Sequence, residues 1–351
     1  MLQRLLTIGG PDSPLAGLPL GIVRTSSGDV IVRPSRGFDL QVFDSTGSFR
    51  GNLARAGQGP GEVRESAWIE AGTDDTIRVY ERDRVLLFGP RLTFAGTERL
   101  NLSPRVIRRP GQPDRVTSGA AIQGVVRIAR LSSGAFAVSS RGPLVVDPKR
   151  LTIRTRTGDV VASATLPDSS GRHVSYIPAA GRTVRGIGVW LLHTEPDSVG
   201  YRILWSDTSG NLTAVLGRRP RWWHRTPIDD QKVVYRVQNG QVVIVPPPTA
   251  PIPRQPSLAM DIAETEHGVL HVLIGQPRER WEGITGENRW IDAYSTIIEA
   301  VDPRALGVTA RYEASGYPVA LLGDDYVATY REDHDGVPYI DLWRIPGLPG
   351  R

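Results

Sequence analysis

Six histidines, His173, His193, His224, His267, His271 and His334, are the side chains of this chain best suited to proton transfer near neutral pH. Each is isolated in sequence, and a lone His on a strand reads first as a packing residue. A ring-shaped fold with a central channel is the arrangement that would bring His193 and His271 together from separate segments. Neither a Gly-x-Ser-x-Gly elbow nor a His-Glu-x-x-His pair occurs, so α/β-hydrolase and zincin chemistry lack their local signatures. The absence of Cys excludes a thiolate zinc site, a Cys nucleophile and a disulfide framework. Oxygen ligands for a hard cation would have to come from Asp261, Glu264 and Glu70. The five Asn residues, Asn52, Asn101, Asn211, Asn239 and Asn288, fall in or beside expected turns and are poor ligands for a channel. Glu332-Asp333-His334-Asp335-Gly336 carries metal-ligating types but has the composition of a polar hairpin turn.

The elements that would position these residues are short strands joined by tight turns. Leu20 to Arg24, the turn at Ser27-Gly28-Asp29, Val30 to Val32, Leu40 to Asp44 and Phe49 to Leu53 form a meander. The same grammar recurs with inner turns near Gly28, Asp74, Gly134, Gly188, Gly268 and Gly323. Such a recurrence predicts an all-β fold: a six-bladed β-propeller with four-stranded antiparallel blades, occupying residues 1–351 as a single domain. The last copy shows only three strands, so the N-terminal strand Leu2 to Ile8 is expected to pair with the strand of Trp343 and close the ring. That closure would cover two sheet edges with unpaired backbone groups. A chain of 351 residues buries enough surface to fold without disulfides or metal. No apolar run reaches the roughly 18 residues of a membrane span, and the N-terminus breaks at Gly9-Gly10-Pro11, too early for a signal peptide. Of the 42 basic residues only Lys149 and Lys232 are Lys, and the net charge of +5 is too dilute for a nucleic-acid binder.

Arg55-Ala56-Gly57-Gln58-Gly59-Pro60-Gly61-Glu62, following the turn Phe43-Asp44-Ser45-Thr46-Gly47, resembles the first blade of exported bacterial six-bladed propellers of the NHL-like group. Leu322-Gly323-Asp324-Asp325-Tyr326-Val327, Asp335-Gly336-Val337 and Leu342-Trp343-Arg344-Ile345 resemble that group's last blade. The resemblance implies the fold and export to the periplasm or beyond; it implies no common reaction. Read on its own residues, Gly57 to Gly61 lacks the Gly-Lys-Ser/Thr ending of a phosphate loop. Its glycines suit a tight crossing between blades.

Two excursions exceed what a propeller needs. Residues 217–256 carry Arg218, Arg219, Arg221, Trp222, Trp223 and Arg225, then the stiff run Pro246-Pro247-Pro248. Residues 278–291 carry Arg280, Trp281, Arg289 and Trp290. Trp and Arg are the residues enriched at binding hot spots; the structural alternative is Trp222 and Trp223 packed under their own loop beneath stacked Arg. A third basic segment, Arg105 to Arg115, is expected as an exposed loop. The sequence thus points to a non-catalytic protein-binding scaffold without a cofactor, an extrinsic subunit docking on a membrane complex. An anionic membrane surface also suits its Arg-rich loops. A calcium-dependent lactonase-like hydrolase with its site in the channel is the rival from another class.

Overall fold

The computed structural model describes in full residues 2–35, 39–64, 68–72, 74–81, 84–99, 177–179, 185–193, 200–220, 222–223, 257–278, 291–323 and 325–347. For the other strand residues between 106 and 245, and for Trp290, it describes the backbone alone. Among the described residues the chain is all-β apart from one 3-10 turn, Trp290–Ala293.

After β1 (Gln3–Gly9), the first blade is β2 (Gly21–Arg24), β3 (Val30–Arg33), β4 (Leu40–Phe43) and β5 (Phe49–Ala54). The next is β6 (Trp68–Ala71), β7 (Ile77–Tyr80), β8 (Arg84–Phe88) and β9 (Phe94–Arg99). A ribbon, β10 (Val106–Ile107) with β11 (Arg115–Val116), lies within the segment expected as a loop. Four strands follow as one sheet: β12 (Val125–Arg130), β13 (Phe136–Ser140), β14 (Arg150–Arg154) and β15 (Val160–Thr165). Then comes the blade of β16 (Ser175–Gly181), β17 (Gly188–Thr194), β18 (Tyr201–Asp207) and β19 (Leu212–Arg218). A second ribbon, β20 (Val234–Gln238) with β21 (Gln241–Val245), interrupts the excursion that the sequence reads as irregular. The blade of β22 (Leu258–Glu264), β23 (Leu270–Pro277), β24 (Tyr294–Asp302) and β25 (Gly307–Ala314) precedes β26 (Tyr317–Leu322), β27 (Tyr326–Glu332) and β28 (Pro338–Arg344).

β1 pairs antiparallel with β28, Gln3 opposite Arg344 and Gly9 opposite Tyr339, and so completes the last blade as expected. Thr7 Oγ1 donates to Asp341 Oδ1 at 2.6 Å, and Arg331 Nε donates to Asp341 Oδ2 at 2.8 Å, fixing the register from a buried carboxylate. The expected count of six blades is corrected to five. A blade is defined by the two apolar faces it buries against its neighbours, and that packing is described for β2–β5, β6–β9, β16–β19, β22–β25 and the closing blade. The sheet of β12–β15 is described by its backbone pairing only; β12 lies beside β16, with no comparable approach to β6.

Burial on both faces explains why the middle strands are continuous apolar runs instead of alternating ones. Val30 and Val32 pack toward the closing blade with Phe43, Tyr330 and Ile340. Ile31, between them, packs the other way onto Ile69, Ile77 and Phe88. In β23, Val272 and Ile274 face the β16–β19 blade, while Leu273 faces the closing blade. A period of two sorts one strand between two cores.

Candidate docking face

The residues with chemical potential are used as struts between and within blades. Asp261, on a bulge of β22, accepts the Ile262 N–H at 2.6 Å and the Leu321 N–H of the closing blade at 2.9 Å. Glu264 accepts the Trp190 indole N–H at 3.1 Å, and Glu70 accepts the Tyr80 hydroxyl at 2.6 Å. The three carboxylates expected to serve a cation therefore tie separate pairs of elements. His193 and His271 are both buried, but the topology sets them apart. His193 precedes the β17–β18 connection and His271 follows the β22–β23 turn, and these connections lie at opposite ends of antiparallel blades. Burial, aided by the charge of Arg202, pushes the His193 imidazole down to about 4.

Asp333, His334 and Asp335 come together as a group of possible ligands on the surface. The turn accounts for them: Asp333 Oδ1 accepts the Asp335 and Val337 N–H groups at 3.1 and 2.9 Å. The Val337 bond leads the causes holding the Asp333 carboxyl below the usual range. Asn52 stands on β5, the strand expected from Phe49 to Leu53, and donates to Asp39, whereas Asn211 donates to Asp207 in the β18–β19 turn. Asn101, Asn239 and Asn288 lie outside the described residues.

The Gly57–Glu62 segment crosses between the first two blades. The Gly59 N–H donates to Glu62 Oε2 at 2.8 Å, the Gly57 N–H to the Val63 carbonyl at 2.9 Å, and Val63 is fully buried between the blades. A Cβ at Gly57 would run into the Glu62 carboxylate. The segment that looks like an anion loop is thus folded around its own carboxylate.

The two ends of the blades differ, although the β27–β28 turn, residues 333–337 with Gly336 at positive φ, sets one turn of the geometry described next at the opposite end. At one end the connections within hairpins are short turns with one repeated geometry: residues 25–29, 44–48, 72–76, 89–93, 207–211 and 265–269. In each, the N–H of the fourth residue donates back to the carbonyl of the first, and that fourth residue has positive φ: Gly28, Gly47, Asp75, Leu92, Gly210 and Gly268. The β24–β25 turn, with Leu306 at positive φ, lies at the same end. Connections from β19 to β22 and from β23 to β24 begin and finish at the other end, and these are the two Arg/Trp excursions.

Their roots are built on the junction between the β16–β19 and β22–β25 blades. Arg218, the last residue of β19, pairs across it with Glu299 on β24, Nη2 to Oε1 at 3.3 Å. Glu299 is wholly buried and also accepts the Tyr201 hydroxyl at 2.5 Å. Burial and this carboxylate push the Tyr201 phenol far above its ordinary value. Pro220 and Trp223 close a turn, and Trp223 is buried with its ring 5.9 Å from that of Tyr201. Trp222 is half-buried, 6.0 Å from Trp223, and the Arg311 guanidinium lies 4.4 Å from its ring centroid. The second root is pinned where the Arg278 N–H donates to the Ala293 carbonyl at 2.7 Å.

Of the residues singled out in the sequence, Arg218 and Trp223 are thus tied into the blade junction, while Trp222 and Arg219 reach the surface. Arg221, Arg225, Arg280, Trp281 and Arg289 lie outside the described residues, as does the side chain of Trp290. Sequence reasoning missed Arg311, Gln276, Tyr201 and Glu299. Only the unusual sites of a carboxylate amid apolar residues (Ile297-Ile298-Glu299-Ala300-Val301) and of an Arg on an outer strand could have drawn notice to two of them.

Among the described residues no helix is long and apolar enough to cross a membrane. No protein-family model matches the chain. No curated protein matches it either. Solved structures do. A protein from Bacteroides fragilis named as exported is 12% identical, with TM-score 0.54 over 99% of this chain and 95% of its own. A protein of unknown function from Dyadobacter fermentans is 9% identical, with TM-score 0.53 over 98% and 99%. Virginiamycin B lyase from Staphylococcus aureus is 11% identical, with TM-score 0.46 over 99% of both chains. At such identities the likeness concerns the fold, and it agrees with the blades: this chain is a β-propeller with four-stranded antiparallel blades.

Proposed function

We propose that the protein is a non-catalytic binding scaffold outside the cytoplasm, docking a protein partner, in one form as an extrinsic subunit of a membrane complex. The observation that carries this reading is the asymmetry of the two ends. Six tight turns of one geometry occupy one end, and both Arg/Trp excursions are rooted at the other, in adjoining blades, where a single turn of that kind, residues 333–337, is found. A rigid disc that concentrates its long connections on one face offers a partner a pre-organised surface, which lowers the entropic cost of association. Trp and Arg supply the side chains most often dominant in such surfaces. The buried carboxylates that would serve a catalytic centre are instead engaged in joining strands.

Gentle fractionation of the source cells, with the chain followed by size and mass spectrometry, tests the reading. Migration in a large assembly is the expected result, and Ala in place of Trp222, Trp281 and Trp290 should release the chain without unfolding it. A free monomer of chain mass in the native fraction would overturn the proposal.

A further inference from the structure

The two excursion roots are far apart in sequence, yet one side chain touches both. Arg311, on β25, stacks over Trp222 of the first root and donates from Nη2 to Gln276 Oε1 at 3.2 Å. Gln276 precedes the neck of the second root by two residues, so Arg278 continues the same side of the ladder that β23 makes with β24. The register places this side of the blade toward β16–β19: Arg311 is opposite Glu299, whose carboxylate reaches Tyr201 and Arg218. Glu313 holds the Arg311 guanidinium from the outside at 2.9 Å. Arg219 and Arg278 are exposed at the two roots.

Resting on the docking reading above, we infer that Arg311 fuses the two roots into one cationic–aromatic platform, and that its ligand is an acidic segment of the protein partner. The charge argues for this ligand. Among the described residues Glu299 answers Arg218 and Glu313 answers Arg311, while the exposed Arg219 and Arg278 have no carboxylate partner at the two roots. Planar guanidinium groups meet carboxylates through paired hydrogen bonds, and a carboxylate carried on an extended segment could span the distance from one root to the other. Arg311 is here a positioning residue: it links Trp222 to the Gln276–Arg278 strand end.

The test uses the full chain and a fluorescein-labelled peptide of alternating Glu and Gly, read by anisotropy. Arg311→Ala should weaken binding roughly tenfold. Arg311→Lys, which keeps the charge but loses the planar stack, should stay weakened, and Arg278→Glu should weaken it at least as much. Arg50→Ala, in the tight-turn half of the first blade, is expected to bind like the parent. Thermal unfolding of each variant confirms that it folds; Arg311→Lys keeps the test valid if the Ala variant does not. Equal binding by parent, Arg311→Lys and Arg278→Glu would overturn the platform, as would an equal loss in Arg50→Ala, the mark of a diffuse positive field. Binding to phosphatidylglycerol vesicles with none to the peptide would overturn it in favour of a lipid surface. A native assembly that survives Arg311→Lys removes the platform and leaves the scaffold standing; absence of any native assembly removes the scaffold itself.

Discussion

His193 shows how burial converts a reactive side chain into a structural one. Its imidazole titrates near 4 in the fold against an ordinary value of 6.5, chiefly because the charged form would lose its hydration. A base with a lowered folded value contributes stability that is complete above 6.5 and lost as the pH falls toward 4. The loss amounts to as much as ~3 kcal/mol. His193→Leu should flatten the melting temperature across that interval, and an unchanged pH profile would refute the assignment. A second residue runs against its backbone. Leu306 has φ 52° in the β24–β25 turn, in the left-handed region that Gly28, Gly47, Gly210 and Gly268 adopt in theirs. A left-handed side-chain residue costs about 1–2 kcal/mol, whereas glycine's extra chain freedom costs about 0.5–1 kcal/mol. Leu306 is 52% exposed, so little packing is forfeited, and Leu306→Gly should raise stability in urea by about 0.5–1 kcal/mol. A lower midpoint would show that its side chain packs more than its exposure suggests.

At the scale of elements, the closing strand and the blade junction carry the sharpest expectations. Gly9 has φ 118°, and a Cβ there would strike the Pro338 carbonyl. Gly9→Ala should therefore lower the melting temperature by roughly 4 °C or more, and removal of residues 1–10 by more still; a truncated protein that melts like the parent would refute closure by β1. Glu299→Ala leaves the buried Tyr201 hydroxyl without its acceptor, while Arg218, 37% exposed, turns to water, a loss of about 1–3 kcal/mol. Glu299→Gln, which still accepts from Tyr201, should lose less in the same denaturation series. Much of this architecture was legible in the sequence. The turn residues, Gly28, Asp44-Gly47 and Asp207-Gly210 among them, announce hairpins because positive φ and side-chain capping are local requirements. The spare strand at residues 3–9 was readable from the missing partner of Trp343. What was not legible depends on contacts between blades. Arg311 looks like any exposed Arg of an outer strand until Trp222 lies against it; the β20–β21 ribbon, by contrast, carries the hairpin dipeptide Asn239-Gly240 and was readable, but was passed over in a segment taken as irregular. Asp261, Glu264 and Glu70 were weighed as possible ligands because their type is visible in sequence, whereas the Leu321 N–H, Trp190 N–H and Tyr80 O–H groups that they accept come from other strands.

At the scale of the whole molecule, the proposed docking role and the repeated tight turns belong to different ends. The tight-turn end repeats one geometry and is expected to tolerate charge changes with little effect on association. The opposite end holds the excursion roots, and the affinity proposed for an acidic partner should weaken as ionic strength rises, because exposed charges are screened beyond roughly 10 Å at 0.1 M salt. Measured affinity that is flat across that range would mean that the aromatic contact, not the charge, dominates. The pairing of Gln3 with Arg344 has a practical sequel. Both strand ends leave the blade beside the tight turns, with the Ile345 N–H bonded to the Asp325 carbonyl of the β26–β27 turn. A tether attached ahead of Leu2 or beyond Pro346 would therefore hold the disc by its plain side, like a coin glued down by one face. On a sensor chip, capture through either terminus should present the excursion face to solution, and the two orientations should give the same binding curve.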